Sequence, residues 1–119
     1  MNAPRVPPAI QDCHTLLEWL IPQLDQFPRR RRFTLGERIE SLLLEVLQAL
    51  IEAAYQRDDA EGLRRANLKL DVVRHLWRLS FRLRAVSSKS YEYGSRRFTE
   101  LGRQIGGWQR HRSGQVKSA

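Results

Sequence analysis

Apolar side chains recur along this chain at intervals of three and four residues, and no stretch alternates with period two, so the pattern predicts helices and no strands. The first helix is expected from about Ala9 to Gln26, with Ile10, Cys13, Leu17, Leu20, Ile21 and Leu24 on one side. Pro22 should kink or weaken its middle, and Phe27-Pro28 closes it. Arg29 to Phe33 reads as a loop, and Thr34-Leu35-Gly36-Glu37 as a capping box opening a second helix that lasts to about Gln56. Asp58 and Glu61 repeat that pattern before a third helix to about Ala85. Ser87 and Ser88 offer the N-cap of a fourth, from about Lys89 to His111.

The last three helices each span about 22 to 26 residues, or about 33 to 39 Å. Similar lengths and short connections predict an all-α fold, an antiparallel up-down-up-down four-helix bundle over residues 9–111. Residues 1–8 are expected to be disordered and 112–119 to form a frayed basic tail.

The third helix has an unusual cross-section. Its apolar residues, Leu68, Leu70, Val72, Val73, Leu76, Trp77, Leu79, Phe81 and Leu83, spread over roughly 220° of the helix, which exceeds what one core can cover. The second helix confines its polar residues to a narrow stripe, Ser41, Glu45, Gln48 and Glu52. The fourth keeps its apolar side to about 120°, as an outer helix does. Helices two and three are therefore expected to line a subunit interface. The competing reading has a bent first helix covering the excess within one chain.

Charge adds a second layer. The 119 residues carry a formal charge of +8, and 18 of the 21 basic residues are arginine. Arginine suits bidentate phosphate contact, although a GC-rich genome produces the same bias. The basic residues are unevenly placed: residues 62–119 hold fourteen basic groups against three acids, and residues 29–38 hold five against one. Arg74, Arg78 and Arg82 share an arc of about 100° with Arg64 and His75 on the third helix. On the fourth, Arg96, Arg103 and Arg110 recur every seven residues, a guanidinium about every 10 Å. These two ladders, with Arg29, Arg30, Arg31, Arg32 and Arg38 as an end-on patch, are the candidate contacts to a nucleic acid or its polymerase. A solvated face that keeps the chain soluble is the plainer account of the same arginines.

Other chemistry is poorly supported. One cysteine, Cys13, excludes an intrachain disulfide, and His14, His75 and His111 lack partners at ligand or triad spacing. No Walker-type glycine loop, secretory signal or run of 18 apolar residues is present, so a cytoplasmic binding protein with no enzyme activity, metal, cofactor or membrane contact is expected. Glycines 94, 102, 106 and 107 should permit close backbone approach on the fourth helix.

Several segments carry a family resemblance. Phe27-Pro28-Arg29, Arg32-Phe33, Leu35-Gly36, Arg38-Ile39, Arg65-Ala66-Asn67-Leu68-Lys69-Leu70, Tyr91-Glu92 and above all Glu100-Leu101-Gly102-Arg103-Gln104-Ile105-Gly106-Gly107-Trp108 resemble the accessory variability determinant proteins of diversity-generating retroelements. The resemblance covers about residues 15 to 110, while the four consecutive arginines from Arg29 and the tryptophan at 77 look individual to this chain. It implies a homopentameric barrel of four-helix bundles that binds a reverse transcriptase and its template RNA or cDNA during mutagenic copying. The alternative is an RNA-binding four-helix protein of the kind encoded in ribosomal RNA intervening sequences, with no polymerase partner.

Overall fold

The computed structural model describes residues 7–56 and 60–118, and side chains as far as residue 113. Among the described residues the chain is all-helical, with four long helices and no strand. These are α1 (Pro8–Asp25), α3 (Glu37–Tyr55), α4 (Ala60–Arg82) and α5 (Ser88–Ser118), with a short α2 (Arg29–Arg31) and a π-helical turn (Arg32–Gly36) before α3. The long helices alternate in direction, and α1 packs on α3 and α5 while α4 packs on α3 and α5. This is the antiparallel four-helix arrangement predicted from the sequence.

The chain departs from the expected element ends for identifiable reasons. Pro22 lies inside α1, which runs on unbroken, because the proline sits on an exposed face where the released carbonyl meets water. The expected loop at Arg29–Phe33 is helical: Pro28 supplies an extended N-cap backbone, and the four arginines that follow are good helix formers. Thr34 makes no capping box, since a cap needs a non-helical backbone; its Oγ1 instead donates to the carbonyls of Arg30 and Arg31 at 3.3 Å. The second expected box falls on Asp58, outside the described residues, and Glu61 pairs with Arg64 at 2.7 Å.

Helix α4 ends at Arg82, three residues early. Arg84 adopts a left-handed φ of 63°, its amide donates to Phe81 O, and the Ala85 amide donates to Ser80 O, the bonding of a Schellman stop. Ser87 then caps α5 as foreseen, its Oγ accepting from the Ser90 amide at 3.2 Å. α5 extends to Ser118, seven residues past its expected end. Arg112 reaches from it to carbonyls at the end of α3, donating to Ala53 and Gln56 at 2.9 Å while its guanidinium lies over Trp108.

The core is built around Trp77, which is buried. Trp19 and Phe98 meet its ring edge-on at 6.1 and 5.7 Å, Phe27 and Tyr91 lie roughly parallel to it, and Nε1 donates to Tyr91 O at 3.1 Å. Leu16, Leu20, Ile39, Leu43, Leu50, Leu63, Leu70, Leu101 and Ile105 complete the buried layers. Among the described α5 glycines only Gly94 is at a close approach: a Cβ there would lie 2.7 Å from Trp77 Cζ2, whereas the nearest atoms at Gly102 and Gly106 are 3.5 Å away.

Helix α1 does not cover the excess apolar surface. Leu68, Val72 and Leu79 remain exposed along α4 and Leu83 just past its end, and Leu44, Ile51 and Tyr55 along α3. Two separate apolar stripes are thus left on one chain.

Candidate nucleic-acid interface

Up-down topology places the α1–α3 and α4–α5 connections at the same end of the bundle. A hydrogen bond from Ser90 Oγ to Gln23 Oε1 at 3.2 Å ties the start of α5 to the end of α1 there. This end gathers the expected patch, Arg29, Arg30, Arg31, Arg32 and Arg38, and adds Arg82 from the expected α4 ladder. It also brings in Arg84 and Lys89. Sequence reasoning missed the last two, although the topology it predicted already put their loop beside the arginine run.

The placement of these cations is electrostatically unfavourable within the chain. Arg29, Arg30 and Arg31 form the first turn of a helix, where the backbone dipole favours anions, and no acid stands in that turn. Asp25 accepts from Arg32 at 3.2 Å, but the guanidinium groups of Arg29, Arg30, Arg31 and Arg38 have no hydrogen-bond or ion-pair partner among the described residues. Arg84 likewise occupies a backbone position that glycine fills with less strain. A cluster of like charges held against the dipole and in a left-handed turn has local costs that an external polyanion would offset.

Two arginines of the α4 ladder, Arg74 and Arg78, line a cleft between α4 and α5. Arg74 Nη2 donates to Thr99 Oγ1 at 3.3 Å, which fixes the register of α4 on α5. Around that bond is an open cleft of about 370 Å³ lined by Asp71, Arg74, His75, Trp77, Arg78, Tyr91, Ser95, Phe98 and Thr99. Arg96, Arg103 and Arg110 lie within about 60° of Thr99 on the outer side of α5, beyond the residues that line the cleft. Trp77 and Phe98 form its floor but are buried, which leaves hydroxyls, an imidazole, guanidinium groups and the Asp71 carboxylate, itself paired to Arg74, as the accessible chemistry. Such a lining suits phosphate oxygens better than base faces.

Not every ladder arginine is equally available. Arg103 is held by Glu100 through bonds of 2.7 and 3.1 Å, and Arg74 reaches Asp71 at 3.4 Å. The Glu100 carboxyl is lowered below its usual 4.5, first by the Arg103 hydrogen bond and then by the one from Gln104. Arg110 turns back over Gly106 and Gly107. Arg78, Arg82 and Arg96 have no such partner among the described residues. The acids three residues before Arg74 and Arg103 are readable in the sequence and mark these two as partly neutralised.

No group of three or more potential metal ligands occurs among the described residues, and no described helix is long and apolar enough to cross a membrane. Cys13 is buried, and burial pushes its thiol up to about 12. His14 beside it is exposed, so the two do not form a dyad.

A family model described as bAvd-like matches residues 9–112, nearly the whole bundle. No curated protein matches the chain.

Proposed function

Because the chain belongs to the bAvd-like family, we propose that it is an accessory protein of a diversity-generating retroelement, a non-enzymatic cytoplasmic scaffold for the reverse transcriptase and its template RNA or cDNA. The observation that carries this reading is the convergence of both arginine-bearing connections on one end, continuous with the cleft between α4 and α5. Phosphates along a nucleic-acid strand would follow that track, with Arg78, Arg82 and Arg96 as the least encumbered contacts.

Self-association into a homopentamer belongs to the same proposal. Lys69 faces Glu45 across the α3–α4 seam at 3.4 Å, and Leu44, Ile51 and Tyr55 lie about 100° farther round α3, away from α4. The α3 stripe is bordered by Glu37, Glu40 and Glu45, and the α4 stripe by Arg65 and His75. Two unlike, oppositely charged stripes favour head-to-tail contact between copies, which generates a ring when the rotation closes.

The test is co-purification with a reverse transcriptase encoded beside this gene, together with affinity for its template RNA as a function of salt. Affinity should fall steeply between low and moderate salt, with a slope that flattens by about one for each contacting arginine removed. Salt-independent RNA binding would reduce the arginines to solubilising groups. RNA binding without polymerase capture would favour the ribosomal intervening-sequence type of protein. A sedimentation mass near that of the 14.0 kDa chain would end the ring.

A further inference from the structure

Phe33 is a large apolar side chain left 55% exposed in the middle of the basic end. It lies within the π-helical turn, a local irregularity frequent at functional sites. The ring is positioned by its neighbours: Asp25 holds Arg32 at 3.2 Å, and the Arg32 guanidinium lies over the Phe33 ring 5.7 Å from its centre. One face of the ring is thus backed by a cation while the ring as a whole stays open to solvent. The other large exposed aromatics differ in setting, since Tyr93 packs against Trp19, with centroids 4.6 Å apart and planes tilted by 53°, and Tyr55 is on the acidic helix α3.

We propose that Phe33 is a stacking platform for an unpaired nucleobase at the basic end of the bundle. An aromatic face amid arginines matches how sequence-tolerant proteins hold single strands, with cations on the backbone and a ring beneath a base. The Arg32 guanidinium on the far side would strengthen the stack through its own attraction to the ring. The cleft between α4 and α5 offers phosphate contacts but no accessible aromatic face, so the two regions divide the work: the cleft tracks the backbone, and Phe33 selects unpaired over paired strands. An acidic protein surface would pair with the same arginines, and dependence of binding on strandedness separates that case from a base on the ring. The assignment rests on the nucleic-acid reading above and adds to it the strandedness of the ligand.

The experiment compares the full-length protein with Phe33→Leu and Phe33→Trp, using single-stranded RNA, duplex RNA and an abasic strand of equal length. Leucine preserves apolar bulk and helix formation but removes the π face. Phe33→Leu should bind the single strand about five- to a hundredfold more weakly, with the same salt slope. Phe33→Trp should retain the affinity, and on duplex and abasic strands all three proteins should agree within about twofold. Equal binding of the single strand by wild type and Phe33→Leu overturns the platform while leaving the scaffold role intact. So does an equal loss on duplex, or a change in sedimentation mass, which would assign the ring to contact between copies. Failure of the wild type to bind any RNA overturns the scaffold reading itself and the platform with it.

Discussion

The backbone of Gly94 lies against the indole of Trp77 so closely that a Cβ would sit 2.7 Å from Cζ2 and 2.9 Å from Nε1. The same indole donates to Tyr91 O, so α5 is held to α4 by one ring from two directions. The ring cannot retreat, being enclosed by Trp19, Phe27 and Phe98.

Gly94→Ala should therefore destabilise the fold by about 1–3 kcal/mol, the usual penalty for overfilling a packed core. Gly107→Ala should instead stabilise it by roughly 0.5–1 kcal/mol, because the nearest atom there is 3.9 Å away and alanine is the better helix former. Urea unfolding of both variants would check the opposite signs. Similar effects at the two positions would contradict the packing of α5 on Trp77.

Arg84→Gly should raise the melting temperature by several degrees, since relief of a left-handed non-glycine residue is worth about 1 kcal/mol. The same variant should lower RNA affinity and flatten its salt dependence by about one. Greater stability with weaker binding, measured by thermal unfolding and anisotropy, would identify the residue as one kept for its charge.

Removing Arg112 should release the end of α3. Its two 2.9 Å bonds to carbonyls at the end of α3 and its stacking on Trp108 predict a loss of about 1–3 kcal/mol in Arg112→Ala. Amide exchange should accelerate first in residues 50–56. Uniform acceleration throughout the bundle would point to a global effect.

Acid should act through two exposed carboxyls. Glu61 and Glu100 are both lowered from 4.5, each chiefly by a hydrogen bond from the arginine three residues on. Carboxyls that are lowered on folding contribute stability at neutral pH, and the contribution is lost as pH falls through their folded values, below 4.5. Glu100→Gln should remove that dependence at one site. It should also free Arg103 and so strengthen RNA binding at neutral pH by a few-fold. Unchanged or weaker RNA binding by this variant would take Arg103 off the track.

Cys13 should be inert in the native protein. A buried thiol pushed up to about 12 holds almost no thiolate at pH 8, so a thiol reagent should react only as the chain unfolds. Stoichiometric labelling of the folded protein within minutes would mean that α1 detaches readily.

The periodicity of the apolar residues was enough to establish the four helices, their antiparallel order and most of the core, because burial imposes a period that local exceptions do not erase. What it misplaced were the junctions. Arg29 to Phe33 looked like a loop from its charge, yet arginine is an able helix former and nothing between Pro28 and Gly36 breaks a helix. Thr34 fitted a capping motif whose backbone requirement cannot be seen in residue types. The site was legible as separate lists of arginines, but their meeting depends on which connections share an end and on the register set by Arg74 and Thr99. Arg84 and Lys89 emerge only when the loops are placed in space. Phe33 stood in the sequence as one apolar residue in a loop; its exposure follows from the π-helical turn, which leaves no signature in composition.

Cyclic symmetry keeps every copy pointing the same way. An end that is cationic in one chain therefore becomes a continuous rim in any ring of such chains, and the opposite rim is chemically different. A particle of that kind would carry the arginine turn and the open Phe33 ring around one rim and the Arg112–Trp108 stack around the other, so its two faces would meet a strand differently.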